Sequence, residues 1–346
     1  MNRRAFIISG ALAGSYVGLM RAGITSLFEL NPARPTLGLV GLGTRGLRRL
    51  EETRGNTLVT LKAICDIDEQ RLHSALAKVH TNQRSADIVA TRDAARIFAD
   101  PQIEAVAIAA SGSATARLIK QAANAGKHIL IEAPWAGTLS ESAAIAGTAS
   151  QTSKVVHQCT YDPDWDDDYF DACVAAAQQD VVFAHLSIAI GATDATSAPP
   201  ILFEGFDLLG AVTRWIKPES KVHITSISNG PSHPLGNRAD VRFSFPAGED
   251  KHIVMSILRT PNLCAGELKA TIETRTNTGQ RGLFNVHSEA LPGGKVPVSK
   301  SLVRFLDLSA RPPKDQALSA QRSHQLNSLI LSAQESLTHR RNVRIS

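Results

Sequence analysis

Leu37-Gly38-Leu39-Val40-Gly41-Leu42-Gly43-Thr44-Arg45-Gly46 is the stretch on which the reading of this chain turns. The first four residues form a short apolar run of the kind that fills a buried parallel strand. Gly41-x-Gly43-x-x-Gly46 follows without a gap, and a helical pattern runs from Leu47 to about Arg54. Each glycine has a physical task in such a turn. Gly41 permits the tight bend, Gly43 lets the backbone approach a diphosphate, and Gly46 allows close helix–strand packing. The helix start offers unpaired N–H groups and a positive partial charge to phosphates. A second strand, Leu58 to Ile64, leads to Asp66, 20 residues after Gly46. A carboxylate there accepts hydrogen bonds from ribose hydroxyls and repels a 2′-phosphate, which favours NAD over NADP.

Outward from that unit the strand–helix alternation continues. Helices are expected at Glu69–Val79, Asp93–Phe98, Ala114–Ala125 (closed by Gly126) and Leu139–Ser150, the last starting near Thr138 or Ser140. Strands are expected at Ile88–Val89, Val106–Ala109, His128–Ile131 and from Val155 onward. Alternation of this kind implies right-handed parallel crossovers. After about residue 180 the rhythm changes. Val181–Ile190 reads as a long strand and Leu202–Ile216 as a helix. Ala239–Phe245 places Val241, Phe243 and Phe245 on one face, and a turn at 246–250 leads to a strand His252–Leu258. Glu267–Thr274 places Leu268, Ala270 and Ile272 together, and Asp315–Leu337 reads as a closing helix. The fold class is therefore an α/β Rossmann domain, a doubly wound parallel sheet, followed by an α+β domain with a mostly antiparallel sheet. Residues 1–35 are assigned to a signal and linker, 36–160 to the dinucleotide-binding domain, and 161–346 to a substrate or oligomerisation domain. Its closing helix, 315–337, is placed to pack back on the first domain.

Composition narrows the function classes. At 346 residues the chain has room for about two domains. Its net charge is +5, and three cations, Arg3, Arg4 and Arg21, lie in the first 21 residues, which contain no acid. With aromatics at 5% and no basic stripe in the body, no nucleic-acid partner is expected. The basic tail His339–Arg344 reads as a solvated terminus. Arg3-Arg4 ahead of an apolar run from Ala5 to Met20 resembles a twin-arginine export signal. The expected location is the periplasm or another exported site, with membrane contact only through that segment. The acids Asp162, Asp164, Asp166, Asp167, Asp168 and Asp171 do not make a calcium loop, because Asp167 and Cys173 stand where such a loop needs Gly and Glu. The cysteines Cys65, Cys159, Cys173 and Cys264 contain no CxxC pair, and the histidines show no HExxH spacing, so no metal is expected.

Three segments, Gly38–Gly46, Ala63–Asp68 and Ala125–Pro134, together resemble the Gfo/Idh/MocA oxidoreductases. Glu132–Thr138 with Gln158–Pro163 is similar to glycoside hydrolase family 109. The resemblance implies a tightly held NAD, a sugar or glycoside as substrate, and hydrolysis assisted by transient oxidation of the sugar. A homo-oligomer is also implied. Residue by residue, it places Thr44 and Arg45 in the phosphate turn, Asp66 at the ribose, Glu132 near the nicotinamide ribose, and Gln158 where the family has Asn. Tyr161 matches a tyrosine close to the reacting sugar. Ala110–Thr115 stands where the family has Thr-Pro-Trp-x-x-His, which puts Ser111 among the cofactor-binding candidates but leaves the Trp and His absent. Asp207 stands where the family has a histidine and is the candidate replacement base, and Ala133 stands where most members have lysine. The cofactor-binding set is thus Gly41, Gly43, Thr44, Arg45, Gly46, Asp66, Ser111, Glu132 and Gln158, and the catalytic set Tyr161 and Asp207. Three readings stay open: an NAD-assisted glycosidase, a sugar or polyol dehydrogenase, and a non-catalytic member that binds NAD or a sugar.

Overall fold

The computed structural model describes residues 34–55, 58–80, 88–110, 114–132, 134–159, 181–191, 222–228, 237–244, 252–260, 268–288, 300–310 and 313–345. The first sheet has six strands: β1 (Thr36–Val40), β2 (Thr60–Cys65), β3 (Val89–Thr91), β4 (Ala105–Ile108), β5 (His128–Glu132) and β6 (Val156–Cys159). They are all parallel and lie in the order β3-β2-β1-β4-β5-β6. The order reverses direction between β1 and β4, which opens a crevice at the carboxyl edge of the sheet.

Five helices interleave with these strands: α1 (Thr44–Gly55), α2 (Glu69–His80), α3 (Ala94–Ala99), α4 (Ala114–Asn124) and α5 (Leu139–Gln151). Local chemistry sets their ends. Asp93 caps α3 by accepting the Ala95 N–H at 2.9 Å, and Thr138 caps α5 by accepting the Glu141 N–H at 3.2 Å. Glu141 in return accepts the Gly137 N–H at 3.0 Å, a reciprocal arrangement close to a capping box. Beyond α4, Gly126 takes φ +69°, and the amides of Gly126 and Lys127 turn back onto the carbonyls of Ala123 and Ala122. Two apolar clusters sandwich the sheet. One joins Val40, Val106, Ile108, Ile129 and Ile131 to Phe98, Ile119 and Ile145 of α3, α4 and α5. The other joins Leu37, Leu39, Ile64 and Leu130 to Leu50 and Leu72 of α1 and α2.

That second cluster is completed from far along the chain. Leu302, Phe305, Leu306 and Leu308 of α6 (Lys300–Ser309) lie buried within it. The following helix, α7 (Pro313–His339), packs on α5 and β6, and Ala320 joins the first cluster. The last two helices therefore return to the first sheet.

The second sheet has seven strands: β7 (Val181–Gly191), β8 (Val222–Ser228), β9 (Asn237–Ser244), β10 (His252–Thr260), β11 (Leu268–Thr276), β12 (Arg281–Ser288) and β13 (Val343–Ile345). Their order is β12-β11-β7-β10-β9-β8-β13, with β7 and β10 parallel and every other pair antiparallel. Alternation puts Ala184, Leu186, Ile188, Val241, Phe243, Ile253, Met255, Ile257 and Ile272 inside. Phe245 and the side chains of Leu268 and Ala270 lie outside the described residues, as do the segments 202–216 and 246–250. Helix α7 covers the β8 end of the sheet, where the Ser226 N–H donates to Ser336 Oγ at 3.0 Å.

One expectation is corrected. The basic tail is not merely a solvated terminus: Val343, Arg344 and Ile345 pair with Ile224, His223 and Val222. Backbone hydrogen bonding to an otherwise unpaired sheet edge outweighs the charge pattern.

Candidate functional site

The phosphate turn sits at the crevice between β1 and β4. Gly41 adopts φ +93°, a conformation that costs other residues dearly, and its N–H donates to the Cys65 carbonyl at 2.8 Å. A Cβ at Gly46 would fall 1.9 Å from the Gly41 carbonyl oxygen, so helix and turn touch backbone to backbone. Among the described residues, a Cβ at Gly43 would meet nothing within 4 Å, which leaves that side of the turn open to an incoming group. Glycine at 41 and 46 is thus demanded by the fold, whereas at 43 no described residue demands it. Thr44 opens α1, and Arg45 beside it is exposed.

Asp66 lies just beyond β2 and is 6% exposed. Its Oδ2 accepts the Leu42 N–H at 2.6 Å and its Oδ1 accepts the Asp68 N–H at 2.8 Å. The carboxylate therefore braces the middle of the phosphate turn from the adjacent strand. A carboxylate has about four lone-pair sites, so two backbone bonds still leave capacity for ribose hydroxyls. These residues fit a dinucleotide: the open face at Gly43, the helix start and the fixed acid correspond to diphosphate and ribose.

Cys65 precedes Asp66 and is a buried free thiol. Burial, then the negative charges of Asp66 and Asp93, push it up to about 11, which keeps it protonated and inert.

Glu132 ends β5 at the same carboxyl edge. Arg49 of α1, itself buried, donates to Glu132 Oε1 through Nε at 2.9 Å and approaches the same oxygen through Nη2 at 2.7 Å. The remaining arm of the guanidinium, Nη1, pairs with Glu52, also buried. No motif singled out Arg49; within Arg45-Gly-Leu-Arg-Arg49-Leu-Glu-Glu52-Thr-Arg54 it reads as one charge of a solvated helix face.

Gln158 is placed differently. It is 0% exposed, and its Oε1 accepts the Trp135 N–H at 3.2 Å and a bond from Asn327 Nδ2 of α7. Its Nε2 and the Asn327 Oδ1 have no hydrogen-bond partner among the described residues. Trp135, buried completely, donates from Nε1 to Ser142 Oγ at 2.9 Å, and that hydroxyl also meets His324 Nδ1 at 2.9 Å. The segment after Glu132 is thereby tied to α7, whose far end holds the second sheet. Gly41, Gly43, Gly46, Asp66 and Glu132 lie along the carboxyl edge of the sheet, and Gln158 lies on the neighbouring edge strand β6, opposite Ile131 and against α7. Ser111, Tyr161 and Asp207 lie outside the described residues. Among the described residues, no group of His, Cys, Asp and Glu could hold a metal ion.

Comparison with known proteins agrees with this geometry. Residues 36–159 match the family model described as oxidoreductase family, NAD-binding Rossmann fold (Gfo/Idh/MocA). Two proteins named glycosyl hydrolase family 109 protein, from Shewanella sp. (strain W3-18-1) and Shewanella putrefaciens, are each 27% identical over 177 residues. The match covers 44% of this chain and 38% of either relative, so it spans well under half the length of both. Among solved structures, a probable dehydrogenase from Thermotoga maritima superposes with TM-score 0.68 at 17% identity, over 89% of this chain and 98% of that one. Myo-inositol dehydrogenase from Lactobacillus casei, in complex with NAD(H) and myo-inositol, gives 0.68 at 16% identity, over 91% and 97%. Scyllo-inositol dehydrogenase from the same organism, with bound NAD(H) and scyllo-inositol, gives 0.66 at 15%, over 90% and 99%. Residues 36–159 thus belong to the NAD-binding Rossmann fold of the Gfo/Idh/MocA oxidoreductase family.

Proposed function

We propose that this protein is exported by the twin-arginine route and acts on a sugar or glycoside with NAD held in the crevice described above, by NAD-assisted hydrolysis of the family 109 kind. The observation that carries the reading is the complete phosphate turn braced by Asp66, on a chain whose curated relatives are family 109 proteins. The inositol dehydrogenases that share its fold, solved with NAD(H) and a polyol, support a sugar-like ligand.

In this reading the turn and the start of α1 hold the diphosphate, and Asp66 accepts from the adenosine ribose. Glu132 accepts from the nicotinamide ribose. When bound, NAD⁺ supplies a hydride acceptor for a sugar hydroxyl carbon. Asp207 would take a proton from the neighbouring substrate carbon and Tyr161 would hold a sugar hydroxyl; the hydride would return after the glycosidic group leaves and water adds, so the net change is hydrolysis. The export route carries folded proteins, which suits a protein that loads its cofactor before leaving the cytoplasm.

A second reading is a non-catalytic member that binds NAD or a sugar. Two observations favour it. Ala110–Thr115 lacks the Trp and His that the family has there, and Gln158 is committed to Trp135 and Asn327. Incubation with an aryl N-acetylgalactosaminide, without added cofactor, separates the readings. Release of the aryl group supports the hydrolase. Stoichiometric NADH from a free sugar and added NAD⁺ indicates a dehydrogenase instead. Nucleotide binding with turnover of neither substrate leaves the non-catalytic member.

A further inference from the structure

The ion pair between α1 and the end of β5 bears on how the two halves of the dinucleotide are held. Arg49 is 3% exposed, Glu52 1% and Glu132 14%. Two nitrogens of one guanidinium meet a single oxygen of Glu132, at 2.9 and 2.7 Å, while the third nitrogen pairs with Glu52. Anchored by Glu52 on its own helix, the planar fork cannot turn to follow Glu132; Glu132 must fit the fork. A charged pair with so little water around it is costly to form for stability alone, since a well-packed apolar pair often does as well.

The helix that carries Arg49 also begins at Thr44, where the phosphate turn ends. Arg49 lies five residues on, a rise of about 7.5 Å along the axis. One rigid helix therefore presents backbone N–H groups at its start and, just over a turn later, fixes a carboxylate at the end of β5. Glu132 stands at the carboxyl edge of the sheet, on the β4–β5 side of the crevice, whereas Asp66 stands on the β2 side. The diphosphate site and both carboxylates are thus held in one frame.

We propose that Arg49 is the positioning residue for Glu132, setting its carboxylate for the nicotinamide half of NAD while leaving the adenosine half untouched. This rests on the placement of Glu132 at the nicotinamide ribose given above. Selectivity between ligands is what separates positioning from plain structural support. ADP carries the adenosine and diphosphate but no nicotinamide ribose. A weakened scaffold would lose ADP and NAD⁺ alike; a misplaced Glu132 loses NAD⁺ alone.

The test is calorimetric titration of the folded, nucleotide-free full chain with ADP and with NAD⁺, for wild type, Arg49→Gln, Arg49→Lys and Glu132→Gln, with each variant's thermal midpoint recorded without ligand. Arg49→Gln is expected to bind ADP as wild type does and to weaken NAD⁺ on the order of ten- to a hundredfold, the range of one charge-assisted hydrogen bond. Arg49→Lys, which keeps the charge without the fork, should fall between. If Arg49→Gln does not fold, Glu132→Gln carries the test, because it keeps the Arg49–Glu52 pair and should show the same selective loss. Equal losses of ADP and NAD⁺, or no loss of NAD⁺ in Glu132→Gln, overturn the proposal. A wild-type protein that binds neither nucleotide overturns the NAD reading itself.

Discussion

The amide of Leu42 donates to Oδ2 of Asp66 at 2.6 Å, so the middle of the phosphate turn hangs from the acid of the neighbouring strand. Ribose recognition and turn shape are consequently vested in one buried side chain. Asp66→Asn halves the oxygens able to accept the N–H groups of Leu42 and Asp68. It should cost about 1 to 3 kcal/mol in urea unfolding, the usual penalty for a buried donor left unpaired, and weaken NAD⁺ as well. An unchanged urea midpoint would show that the Leu42 bond contributes nothing to the fold.

The glycines of the turn should separate cleanly. Gly46→Ala puts a methyl 1.9 Å from the Gly41 carbonyl oxygen and must displace helix or turn. A loss of several kcal/mol and of NAD⁺ binding is expected. Gly43→Ala meets nothing within 4 Å among the described residues. It should melt with wild type yet bind NAD⁺ at least tenfold more weakly, about 1.4 kcal/mol, because the methyl occupies the path of the diphosphate. Normal NAD⁺ affinity in Gly43→Ala would mean that the diphosphate does not approach that point.

Ser142 accepts from a completely buried Trp135 indole. Ser142→Ala strands that N–H and should cost about 1 to 3 kcal/mol. Trp135→Phe removes the donor along with ring volume. A double-mutant cycle should give less than the sum of the two single effects, because both remove the same bond. Strict additivity would show that the bond carries no energy.

Acid should weaken the protein in a defined window. Burial, helped by the Lys154 charge, lowers half-buried His128 from 6.5 to about 4, and its Nδ1 accepts the Val155 N–H at 3.2 Å. Burial lowers His324 as well. Between the two His128 values the unfolded chain binds a proton that the folded chain refuses. Stability therefore falls as pH drops from about 6.5 to about 4, and this contribution is constant below that. For His128 the loss is about 2 to 3 kcal/mol, allowing for its partial exposure. His128→Asn, whose side-chain oxygen can still accept the Val155 N–H, should flatten the profile of unfolding free energy over that window. A profile as steep as wild type would contradict the assignment.

How much of this was legible depends on the range of the interactions. The strand–turn–helix from Thr36 to Gly55 and Asp66 beyond it were readable because glycine geometry, strand burial and helix periodicity act within a few residues. Helix starts near Asp93 and near Thr138 or Ser140, and the stop at Gly126, were readable for the same reason. The partnership of Arg49 with Glu132 was not, because it spans 83 residues and joins a residue that looks solvated to one read through a resemblance. The commitment of Gln158 to Asn327, 169 residues away, was hidden likewise, since only tertiary packing sets α7 over β6. The strand Val343–Ile345 was missed because three residues are too few to show alternation, and its hydrogen bonds come from a strand, Val222–Ser228, far earlier in the chain. In α6, Leu302, Phe305 and Leu306 repeat at helical spacing, but nothing local tells that they complete the core of the first sheet.

The central claim, that the turn from Gly41 to Gly46 with Asp66 holds NAD, is tested most directly by denaturing the purified folded protein and identifying the released nucleotide by mass spectrometry, then titrating emptied protein with NAD⁺ and NADP⁺. NAD(H) should be released or taken up at near one per chain, with NADP⁺ much weaker because Asp66 repels its 2′-phosphate. A protein that releases no nucleotide and takes up no NAD⁺, or that prefers NADP⁺, would contradict it.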